Sequence, residues 1–261
     1  MKRTPLYRAP LAGLMSLAIL ASPLPPSALA DPPSRPDKPD EKKPPGEKDK
    51  SQPKKQAKRV SREQQEERIR RQQAQLQVYR QNIALREKVA ERDEQILRQQ
   101  KRIAHLRFQQ AYRQRLQQQR SALVSARYDY YEDPFFYTGP SYRYRRDGRY
   151  YMTNEIGMEA LKQALNQGYK EGVRAGRADR EDEWRFDPRS SFAYQDAYYG
   201  YDGRHLEQDE YQHYFREGFE RGYEDGYYGR RKYGSGGDDD DEWWIAAGVV
   251  AAVLAYQALD D

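Results

Sequence analysis

The sequence predicts a mostly α-helical protein: a long basic helix or weak coiled coil, then a small duplicated helical unit rich in glycine and tyrosine. A disordered N-terminal spacer and a hydrophobic C-terminal helix flank these parts. Three observations carry the prediction. Lys54–Asp133 holds neither glycine nor proline and is dominated by Gln, Arg, Glu, Ala and Leu, which are strong helix formers. Two glycine ladders, Gly168/Gly172/Gly176 and Gly218/Gly222/Gly226, repeat every four residues, the interval that keeps positions on one helix face. Charge is partitioned: Lys54–Arg127 carries 20 Lys and Arg against 7 acids, and Tyr128–Asp261 carries 17 against 28.

Residues 1–30 have the form of a secretory signal. Lys2, Arg3 and Arg8 precede the apolar run LAGLMSLAILA, and Ala28-Leu29-Ala30 supplies a small-residue cleavage site after Ala30. The apolar run is too short to span a bilayer. Cleavage removes three cations and no acids, so the formal charge of +5 falls to +2. The chain has no cysteine, so disulfides and thiol lipidation are excluded even though export permits them. Residues 31–59 are rich in Pro, Lys and Asp with few apolar side chains, the composition of a disordered linker.

Residues 60–127 read as one helix, roughly 100 Å long at 1.5 Å per residue. Its apolar positions recur at sevens: Ile69, Leu76 and Ile83, then Val89, Ile96 and Ile103, with Leu85 and Leu106 as partners and Leu116 and Leu123 continuing. The register slips between Ile83 and Val89, a local distortion for a coiled coil. With many Gln and Arg among the seam partners, the expectation is a weak coiled coil that self-associates; the alternative is a solvated single helix. The opposite charge of the two halves admits two further outcomes. The acidic half docks on the basic helix, within or between chains, or the helix meets an anionic partner such as lipid headgroups or an envelope polymer.

Residues 128–153 form a Tyr- and Arg-rich connector in which Pro134, Gly139 and Pro140 end the helix. Asp147-Gly148 between alternating tyrosines signals a hairpin, although Arg146 would face Arg149. Arg and Tyr interleaved in this way could stack on bases, but an exported chain makes nucleic acid a poor partner. Residues 154–233 contain the duplicated unit, because Ala164–Gly176 and Tyr214–Gly226 align without a gap at a constant offset of 50 residues. Glycine costs about 1 kcal/mol relative to alanine inside a helix. Three in a row therefore call for close approach by another backbone, in the same chain or a twin. Residues 234–242 read as a flexible acidic linker. Residues 243–259 read as a 17-residue apolar helix with aromatic ends, marginal for spanning a membrane.

The run YYMTNEIGMEALKQALNQGYKEGVRAGRADREDEW, with AYQDAYYGY and YFREGFERGYEDGYYGR after it, resembles a family of uncharacterised exported bacterial proteins. That family carries G-Y-x-E-G-x-x-A-G and F-R-x-G-F-x-x-G-Y-x-D-G-Y motifs. The resemblance covers roughly Tyr142 to Gly234, omits the basic helix and implies no activity, cofactor or catalytic residue.

Little in the chain points to catalysis or metal binding. The three histidines, His105, His205 and His213, fit no metal-ligand spacing; His105, set among Arg and Gln, reads as exposed. Placing Gly203 at the sixth position of a calcium loop puts Tyr198 where an acid is required. No P-loop, dinucleotide fingerprint or nucleophile elbow occurs. The sequence therefore predicts no catalytic, cofactor or metal site. It points to an exported, non-enzymatic envelope scaffold that forms homo-oligomers, with capture of an anionic envelope ligand as the alternative.

Overall fold

The computed structural model describes residues 58–125, 127–236 and 244–259. The expected signal segment with its expected cleavage site after Ala30, and most of the expected spacer, lie outside them, as do Trp243 and the acidic run Asp238–Glu242. The mostly helical class holds, with seven α-helices among the described residues.

Helix α1, Arg62–Gln99, opens on a capping box in which Ser61 accepts from the Gln64 amide and the Gln64 side chain accepts from the Ser61 amide. At about 1.5 Å per residue it is roughly 57 Å long. The helix stops there instead of running on as a single rod. The chain reverses over Gln100–Arg102, with Lys101 in the left-handed region at φ 59°, and α2, Ile103–Ser125, returns along α1. Gln109 donates to the Ala90 carbonyl at 2.9 Å, Arg113 pairs with Glu94 at 2.6 Å, and Arg120 pairs with Glu87 at 3.0 Å. The single helix expected over residues 60–127 is thus an antiparallel hairpin. No glycine or proline forces the break. Its cause is tertiary: Asp182 accepts from the Ala104 and His105 amides at 2.8 Å, capping the start of α2.

The interrupted heptads find their explanation here. Ile69 is buried, with Leu76 and Ile83 partly buried on the inner face. Val89, Ile96 and Ile103, like Leu85, stay exposed. The end of the expected linker is also ordered, since Val60 donates to the Tyr137 carbonyl and Gly139 to that of Lys58.

Pro134–Tyr137 forms α3, capped by Asp133. Strands β1, Tyr142–Arg146, and β2, Arg149–Thr153, pair antiparallel around Asp147 and Gly148, both at positive φ, the signature of a type I′ turn. Tyr144 stacks on Tyr151 across the pair. The apposed Arg146 and Arg149 are tolerated because Arg146 reaches Asp209 at 3.2 Å.

Helices α4, Glu155–Glu181, and α6, Gln208–Tyr228, form the core pair. Asn154 caps α4 by accepting from the Gly157 amide at 3.0 Å. Between them a 3-10 turn, Pro188–Ser190, and α5, Phe192–Asp196, carry the chain back to the start of α4, so α4 and α6 run parallel.

The apolar C-terminal stretch is not a 17-residue helix. Strand β4, Trp244–Ile245, pairs with β3, Gly234–Ser235; α7 is limited to Ala247–Leu254; and β5, Gln257–Ala258, adds an edge to β1. Ala255 at φ 43° closes α7. Among the described residues no helix is long and apolar enough to cross a membrane. Part of the segment packs within the fold: Ile245 lies with Leu165, Tyr169 and Val173 on the flank of α4, Val250 and Val253 lie against them, and Leu254 is fully buried, while Trp244 and the alanines of α7 stay exposed.

Candidate functional site

All six ladder glycines are buried where α4 meets α6. A Cβ built on Gly168 would run into the Phe215 carbonyl, one on Gly172 would lie 2.7 Å from the Tyr223 amide, and one on Gly176 2.8 Å from that of Tyr227. From the other side, Gly218 faces the Leu165 carbonyl, Gly222 that of Tyr169 and Gly226 that of Val173. The missing side chains let backbone lie on backbone, the arrangement small residues at four-residue spacing allow. The twin of each ladder is thus in the same chain.

Two tyrosines tie the seam across. Tyr169 on α4 donates to Asp225 on α6 at 2.9 Å, and Tyr223 on α6 donates to Asp179 on α4. Both hydroxyls are buried and both tyrosine pKa values are raised, by burial first and then by the aspartate each one faces. Along α6, Phe215, Phe219, Tyr223 and Tyr227 stack ring on ring at 6.3, 6.2 and 6.0 Å.

The α1–α2 hairpin clasps this pair through arginines. Arg86 lies 3.3 Å from Asp196 and over the Tyr198 ring at 3.4 Å; Arg115 reaches Glu171 at 2.6 Å; Arg102 pairs with Asp179 beneath Trp184. Asp179 is a hub, also bonded to His105 Nδ1 at 2.6 Å. Burial pushes its pKa up, yet the hydrogen bonds from His105, Tyr223 and Arg102 outweigh that and hold it below the usual carboxylate range. For Asp196 burial wins over Arg86 and Tyr112, and the pKa rises. Asp225, also buried, accepts from the amides of Lys232 and Tyr233 at 2.9 and 2.8 Å. Glu171, Asp179 and Asp196 thus draw cations from the basic hairpin. The charge division in the sequence is, at these points, an intramolecular docking code.

The histidines take up places the sequence did not show. His105 is 1% exposed rather than solvated. His205 sits between Asp133 at 2.7 Å and Asp202 at 3.2 Å. Burial lowers its pKa, but these carboxylates overcome that and raise it. His213 packs against Tyr214. Asp202 serves His205 and the Arg204 amide rather than a cation, and no group of three or more potential metal ligands occurs among the described residues.

A cleft of about 240 Å³ opens beside His205, lined by Arg68, Gln72, Phe135, Tyr144 and Glu210 among others. Some of its polar groups are already engaged: Tyr144 donates to Glu210, and Arg68 to the nearby Thr138 carbonyl at 3.0 Å. The buried Arg102, His105 and Asp179 were missed in the sequence. The available signal was Asp179, three residues beyond Gly176 and so on the seam face of α4. No family model, curated protein or solved structure matches the chain.

Proposed function

We propose that the chain is a non-enzymatic scaffold of the bacterial envelope that acts by self-association. The observation that carries this reading is the state of its buried carboxylates. Glu171, Asp179, Asp196 and Asp225 are each engaged by the chain's own Arg, His, Tyr or backbone groups. Groups committed in this way brace helices and are not presented to a substrate. The signal-like first 30 residues support export, and the offset of 50 between the ladders supports an origin by duplication.

Cell fractionation with N-terminal sequencing, followed by light scattering on the purified protein, tests the reading. The expected product begins at Asp31, is released with the envelope fraction and has more than one chain per particle. An uncleaved cytoplasmic protein, or a monomer at every concentration, overturns it.

The alternative, capture of an anionic envelope polymer, draws on the hairpin tip. There Lys101 and Arg107 are exposed and form no ion pair among the described residues. Salt-sensitive binding that is lost in Lys101→Glu/Arg107→Glu would favour it.

A further inference from the structure

One flank of α1, turned away from both α2 and the α4–α6 pair, carries Val78, Leu85, Val89 and Ile96, exposed by 49, 63, 40 and 47%. Asn82 and Arg92, also exposed, complete an alternation of four and three residues along this stripe. In heptad terms Asn82, Val89 and Ile96 occupy a, while Val78, Leu85, Arg92 and Gln99 occupy d. The stripe, from Val78 on, overlaps the end of the inward-facing series Ile69, Leu76 and Ile83 and continues beyond it. A sequence slip in one seam is therefore, in the fold, a division between two seams.

We propose that this flank is the interface of a parallel two-stranded coiled coil between two copies of the chain. The inference rests on the self-association proposed above and names its surface. Three features select a second copy in this orientation. Branched Val89 and Ile96 at a, with Leu85 at d, favour two strands, and a single Asn at a fixes register. Lys88 falls at g and is exposed; an antiparallel pair would set it against its own copy, whereas a parallel pair places the two lysines on opposite sides of the seam. Asp93, at the following e, is half-buried and engaged by Gln109, His105 and Arg102 of its own chain. The interface is isologous, as a twofold dimer requires. Arg92 at d brings like charges together, so the dimer is weak and tightens with salt.

The experiment is sedimentation equilibrium of the purified protein, with variants confined to exposed positions and circular dichroism to confirm the fold. Leu85→Glu should weaken dimerisation at least tenfold, and Arg92→Leu should strengthen it at least tenfold. Because the chain has no cysteine, Asn82→Cys gives a clean second readout: mild oxidation should yield a covalent dimer through identical a positions. A dimer that is indifferent to Leu85→Glu sinks the seam and leaves self-association standing. A monomer without crosslinking sinks both. Crosslinking only when Asn82→Cys is mixed with Arg92→Cys overturns the parallel geometry. A protein that dimerises through the stripe only after removal of Met1–Pro53 overturns the proposal in favour of its own N-terminal segment as the occupant.

Discussion

The α4–α6 seam and the α1–α2 clasp solve the same problem, holding helices together in a polar chain, by opposite means. At the seam six glycines remove side chains and the backbones meet directly. At the clasp long guanidinium side chains reach from one layer into the next and end on buried carboxylates. The seam depends on shape and has no adjustable part. The clasp depends on charge and is specific to partner and pH. A small core with few aliphatic side chains is thereby fastened twice, by contacts that respond to different perturbations.

Gly172→Leu and Gly222→Leu test the shape-dependent half and should have the largest effect. Each side chain would meet backbone of the opposite helix rather than a movable side chain. A loss of about 5 kcal/mol is expected, at the upper end for single substitutions. Denaturant unfolding measures it, and wild-type midpoints in both variants would show that the helices do not meet at these glycines.

Asp179→Ala probes the charge-dependent half and, with it, the Tyr223 tie across the seam. It strands Arg102, 6% exposed at its side chain, and should cost about 3–4 kcal/mol, as breaking a buried pair by removing one partner does. A loss below about 1 kcal/mol would place this carboxylate among ordinary surface acids.

A pH response comes from a charged contact outside both halves, His205 between Asp133 and Asp202. The folded pKa of His205 is raised from 6.5, so the stability it contributes is fully present below about that pH and is lost as pH rises through the folded value. Melting temperature should fall over that window in the wild type, and His205→Gln should flatten the slope while Gly→Ala changes on the seam should not. An unchanged slope in His205→Gln would assign the dependence to another group.

The smallest effect is expected at the solvent-facing pair Arg62–Glu66, 87% and 42% exposed. Glu66→Gln should cost no more than about 0.5 kcal/mol, and a larger loss would mean that the outer face of α1 carries structure of its own.

Shape was legible in the sequence where it depends on local rules. Glycines at intervals of four marked the seam, and Asp147-Gly148 marked the hairpin turn, because each follows from spacing or backbone preference alone. The reversal at Lys101 was not legible. A lysine held at φ 59° is imposed by Asp182 and Asp179 more than seventy positions downstream, and no local residue announces it. His105 appeared exposed for the same reason, since its surroundings exist only once α2 has folded back. The apolar C-terminal stretch reads as hydrophobic throughout, but hydropathy does not say which of its side chains the fold covers, and Ile245 and Leu254 are buried where Trp244 is not. The five carboxylates buried among the described residues, in a sequence of 41 acids, carry no mark that distinguishes them before the helices are assembled.

The parallel run of α4 and α6 sets an order of assembly. Contacts in the α1–α2 hairpin join residues 19 and 33 apart, whereas the tyrosine ties across the glycine seam join residues 56 and 44 apart. Closing a longer loop is entropically costlier, and structures rich in distant contacts form more slowly. The first ladder, once synthesised, has nothing to close against until its counterpart has emerged, so the seam closes after the α1–α2 hairpin, while the clasp contacts from Arg102 and Arg86, which join residues 77 and 110 apart, close longer loops still.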